Sequence, residues 1–153
     1  MIAYVVDGGK FSLKTEGGKS IKPTTIHISK LMEARWIREC NGKDDFCTRS
    51  KEKIGAHLAH YERIISLRSF LTDSSVKYEL VEIPMEILLE ISRLRPADFS
   101  EKTANGSSSA TVRGSDGTVF FVLSLDGSVE KITVRGLPLR LCKIHATWEV
   151  SLV

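Results

Sequence analysis

Cysteine is scarce: Cys40, Cys47 and Cys142 are an odd set with no paired spacing. That excludes a disulfide framework and makes a reducing, cytoplasmic setting the expectation. No apolar run approaches the ~20 residues a membrane helix needs, so no membrane association is expected, nor a secretory leader. No internal repeat is visible. There is no nucleophile elbow and no ordered serine or cysteine triad, which leaves covalent hydrolysis without support. Zinc fares little better. His57 and His60 lie three apart, as do Cys142 and His145, but no second paired motif completes four ligands. Charge is not one-sided either. Against 19 acids stand 22 lysines and arginines, a net +3 with pI near 8.8, which permits a nucleic-acid partner without requiring one.

What the chain has is an ordinary globular composition, 42% hydrophobic and 27% charged over 153 residues, enough for a single domain with a real core. Residues 2–6 and 11–15 alternate around Asp7-Gly8-Gly9, a hairpin signal. A glycine-containing loop covers 16–25. The spacing of Ile28, Leu31, Met32 and Trp36 predicts a helix over 26–40, stopped by Asn41-Gly42. After a loop at 44–48, a second helix is expected over 50–60, with Ile54, Leu58 and Tyr61 buried. Residues 63–70 and 76–83 read as strands, and Pro84 opens a third helix reaching about Leu94. A polar linker, 100–109, then divides an α/β core (1–99) from an antiparallel lobe (110–153). In that lobe the turns at Ser115-Asp116-Gly117 and Asp126-Gly127 join 110–113, 118–125 and 128–135 into a meander. The last strand points Cys142, Ile144, Ala146, Trp148 and Val150 inward and Lys143, His145, Thr147 and Glu149 outward. The expected class is α/β (α+β): a mixed central sheet flanked by helices, with a C-terminal antiparallel meander.

The hairpin carries the chemistry. Strand side chains alternate, so Ser12 and Lys14 share one face. Phosphodiester hydrolysis needs a divalent cation held by carboxylates, and a lysine beside it to manage charge and protons. Lys14 fits the lysine. Ser12 stands two residues before it, where an acid is usual. Glu33 or Glu39 on the next helix could supply the carboxylate, Glu33 being the better placed. The plain alternative is that Lys14 is a solvated residue on an edge hairpin. Lys19, Lys22, Lys30 and Arg35 make the first part of the chain basic, as phosphate contact requires. A merely solubilising loop would look the same.

The segments FSLKTEGGKSIKPTTIHISKLMEARWIR, YERIISLRSF, VKYELVEIPMEILLEI and LDGSVEKITVRGL…CKIHATWEV resemble the catalytic and C-terminal regions of type II restriction endonucleases of the PD-(D/E)XK superfamily. The resemblance implies a restriction-endonuclease-like fold and Mg²⁺-dependent cleavage of double-stranded DNA at a short sequence, often by a homodimer. It casts Lys14 as the catalytic lysine, Ser12 in the place most members give an acid, and Glu33 as a metal ligand from the following helix. The chain departs from the pattern at the family's first aspartate. Its cross-strand place falls near Ala3 or before Met1, and Asp7, the nearby candidate ligand, lies in the turn. Two other functions stay open on the residues alone: a non-catalytic DNA-binding module or fragment of such an enzyme, and a structural or protein-interaction domain.

Overall fold

A computed structural model describes residues 2–6 as backbone and 9–152 in full. The opening hairpin forms as its sequence dictates. β1 (Ile2–Val6) pairs antiparallel with β2 (Gly9–Glu16), Ala3 opposite Ser12. The chain then leaves this sheet. β3 (Thr25–Glu33) is a strand, and only a short 3₁₀ turn, Arg35–Glu39, follows it. The helix expected over 26–40 is therefore corrected, and Glu33 sits on the end of a strand rather than on a helix over the sheet. The cause is a bulge. Ile26 and Ile28 are buried in strand alternation, but between Ile28 and Met32 four steps of β3 are spanned by two steps of its partner. This turns Leu31 inward and leaves a spacing that mimics a helical stripe.

α1 (Lys43–Leu58) begins earlier than the sequence suggested. Asp44 and Asp45 occupy its first turn, where the helix dipole favours acids, and Phe46 and Cys47 are buried. β4 (Arg63–Leu71) and β5 (Ser75–Ile83) match the two expected strands. Beyond Pro84 the helix is brief: α2 (Met85–Leu88) tightens into 3₁₀ geometry over Leu89–Arg93. β6 (Ser108–Arg113), β7 (Val119–Asp126) and β8 (Lys131–Pro138) make the meander, and β9 (Lys143–Ser151) ends the fold.

Two sheets result. One has the order β1-β2-β4-β5-β9, antiparallel except for the parallel pair β2–β4; the other has the order β3-β8-β7-β6 and is wholly antiparallel. The strands interleave across residues 100–109, because β3 joins the meander and β9 joins the first sheet. One apolar cluster lies between the sheets and α1. It takes Ile28 and Leu31 from β3, Ile54 and Leu58 from α1, Ile64 and Val81 from the first sheet, and Leu123 and Val134 from the second. Each such side chain contributes about 1.5–3 kcal/mol on burial.

The class is α+β as read, with fewer helices than expected. The inward set assigned to the last strand is corrected from Ile144 onward; Cys142, just before the strand, is half-buried against the core as expected. β9 is an edge strand, exposed along its whole length, with Ile144 46%, Trp148 42% and Val150 47% accessible. Trp148 stacks on Tyr78 at 5.3 Å over a sheet face that no described helix covers. Among the described residues no helix is long and apolar enough to cross a membrane.

Candidate active site and nucleic-acid interface

Lys14 lies where the two sheets meet. On β2, Ser12, Lys14 and Glu16 point inward, and β3 crosses close to them. Lys14 Nζ donates to the Lys30 carbonyl at 2.9 Å and to the Leu31 carbonyl at 3.3 Å. An ammonium has three donors, so one remains free. Lys14 also lines a small cavity of about 170 Å³ with Leu13, Thr15, Ser29 and Lys30. Burial, with the neighbouring Lys30 charge adding to it, pushes the Lys14 pKa down from 10.5 to about 8. Lys14 is thus no solvated edge residue.

His57, near the end of α1, faces the same point. Burial and then the Lys14 charge hold its pKa below the usual value, against the smaller opposite pull of the Leu31 carbonyl. The sequence reading had weighed His57 only as half of a zinc pair with His60. Ser66 sits opposite Lys14 in register, and the hydroxyls of Ser12 and Ser66 are both buried with no protein partner.

Glu33 is exposed and makes an ion pair with Lys30 at 2.9 Å. That hydrogen bond and the Lys30 charge hold its carboxyl below the usual range. Glu39 is committed to Arg49 at 2.8 Å. Asp7 lies outside the described residues. Among the described residues no three His, Cys, Asp or Glu side chains gather as metal ligands.

The basic residues divide. Lys30 and Arg35 line a cavity of about 290 Å³ with Glu33, Glu130 and Lys131. Lys22 lines a cleft of about 300 Å³ at the other end of β3. Lys19 is exposed on the loop between β2 and β3.

That loop is anchored by a residue the sequence reading missed. Arg68, fully buried on β4, stands in register between Glu16 on β2 and Glu79 on β5. Its guanidinium donates to Glu79 Oε2 at 2.9 Å and faces Glu16 Oε1 at 3.6 Å. It also donates to the carbonyls of Lys22, Pro23 (3.4 Å) and Thr25 (2.9 Å). Glu16 in turn accepts the His27 amide at 2.9 Å. The signal was an arginine inside an apolar strand, which is almost never fully buried unless paired.

Residues 3–150 match the family described as SmaI, type II site-specific deoxyribonuclease. The type II restriction enzyme SmaI of Serratia marcescens is 33% identical over 153 residues, covering 96% of this chain and 58% of that relative. The chain thus spans little more than half the length of the curated relative it matches. No solved structure matches.

Proposed function

Because the chain belongs to the SmaI family of type II site-specific deoxyribonucleases, we propose that it is the part of such an enzyme that grips and cuts double-stranded DNA, with Lys14 at the reacting phosphate. The observation that carries this reading is the half-buried Lys14 ammonium, anchored by two carbonyls with its pKa near 8. At pH 7 about nine-tenths of such a group is protonated. Its free donor can meet a phosphoryl oxygen, and charge growing on that oxygen in the transition state strengthens the contact. Desolvation strengthens it further, while the two carbonyls hold the lysine in place. Ser12 belongs to the proposal as the neighbour of Lys14 on the same face.

Dependence on Mg²⁺ is part of the proposal through the family alone. Glu33, tied to Lys30, does not make a site by itself, so no step is assigned to the cation. A second reading, a DNA-binding module without catalysis, is favoured by the lack of a carboxylate cluster among the described residues.

Incubation of plasmid and linear duplex DNA with the protein and Mg²⁺ separates the two. Discrete fragments are expected from the wild type. Lys14→Met should slow cutting by about a hundredfold or more while duplex affinity stays within about threefold. Tight binding with intact DNA would favour the module, and a Lys14→Met protein cutting at the wild-type rate would remove Lys14 from the reaction.

A further inference from the structure

We infer that the cleft at the start of β3, walled by Lys22, His27 and Arg135, is a subsite for a phosphodiester group of duplex DNA. The inference rests on the DNA reading above and extends the contact surface well beyond Lys14.

Three cavities follow one another along β3, the middle and last of them also touching β2. The first contains Arg35 and Lys131, the middle one Lys14, and the last Lys22 and Arg135; Lys30 is shared by the first two. β3 has nine residues, so the groove runs about 30 Å. That is close to one turn of duplex, roughly 34–36 Å. Six lysines and arginines line it against three glutamates. Each of those glutamates is already engaged: Glu33 by Lys30, Glu130 by Arg35 and Arg38, and Glu16 by Arg68 and the His27 amide. Among the described residues Lys22 and Arg135 pair with no carboxylate.

The end cleft also shows how its backbone was prepared for an anion. Carbonyl oxygens would repel a phosphate. Here the carbonyls of Lys22, Pro23 and Thr25 turn inward to the buried Arg68, leaving the Lys22 side chain exposed. Two glycines line the cleft. Gly17 packs so closely on β4 that a Cβ there would come within 2.5 Å of Ser69 Oγ, while Gly136, with φ +72°, has open space where a side chain would stand. Bare backbone at Gly136 lets a phosphate approach closely.

Fluorescence anisotropy tests this with a labelled duplex about two helical turns long (~20 base pairs), read across a salt series. Binding should weaken steeply with salt. Lys22→Ala and Arg135→Ala should each lower the log–log salt slope by about 0.9 and weaken binding to all sequences alike. The double variant should lose about twice that slope. Lys51→Ala, an exposed α1 residue outside the groove, should leave the slope unchanged. All three positions are exposed, so the thermal midpoint is expected to hold. Salt-dependent binding whose slope ignores the Lys22/Arg135 double variant overturns the subsite and leaves the DNA reading standing. A wild-type chain with no salt-dependent affinity for duplex overturns both.

Discussion

Lys14 Nζ donates to the Lys30 carbonyl at 2.9 Å, a bond that ties the five-stranded sheet to the four-stranded one. The cost is a desolvated ammonium, and pH should reveal it. The folded pKa is near 8 and the unfolded one 10.5. Below pH 8 both states hold the proton, so the penalty is constant. Between the two values the unfolded chain binds a proton that the folded chain has released, and stability rises with pH. Urea unfolding should show wild type gaining on Lys14→Met from about pH 8 to 10.5 and running parallel to it below pH 8. A constant difference across that window would mean the ammonium is not desolvated.

The same titration should appear in the reaction. If Lys14 works as an ammonium, kcat/KM falls as pH rises past about 8, since that ratio reports groups of the free enzyme. Arginine stays protonated throughout. In Lys14→Arg the alkaline limb should therefore vanish from whatever activity remains. A limb with an unchanged midpoint would assign the titration to another group.

Local signals carried the reading where they were unambiguous. The DGG turn gave the hairpin, and the β-branched runs at 63–70 and 76–83 gave two strands almost to the residue. They misled at Ile28, Leu31 and Met32, because a bulge in a strand produces the same spacing as a helix face. They misled again at β9. Its clean alternation marks a strand but says nothing about whether another layer covers it, and here the described residues leave it exposed along its length. Of the candidate site, Lys14 was legible from strand parity. Its contacts with Lys30, Leu31 and His57 were not, since they depend on β3 leaving its hairpin and crossing back in a second sheet. Arg68 lay equally deep in topology, because Glu16 and Glu79 become its neighbours only through the registers of β2, β4 and β5.

Arg68 offers the sharpest test of how the groove is held. Three cross-strand neighbours, Glu16, Arg68 and Glu79, alternate in sign across the sheet, and Arg68 also lies 5.0 Å over the Phe70 ring. Removing the guanidinium leaves two buried carboxylates without their counter-charge, Glu16 keeping only the His27 amide, a change that typically costs about 3–5 kcal/mol. Arg68→Met should show a loss of that order in urea unfolding. Adding Glu79→Gln should recover part of it, because the second change removes one of the stranded charges. The loop carrying Lys19 loses three anchors at the same time, so trypsin should cut after Lys19 faster in Arg68→Met than in wild type. Comparison at equal fractional unfolding keeps global instability out of that rate. A destabilisation under about 0.5 kcal/mol, the level of an ordinary surface change, together with wild-type cleavage at Lys19, would show that the loop is held by something other than Arg68.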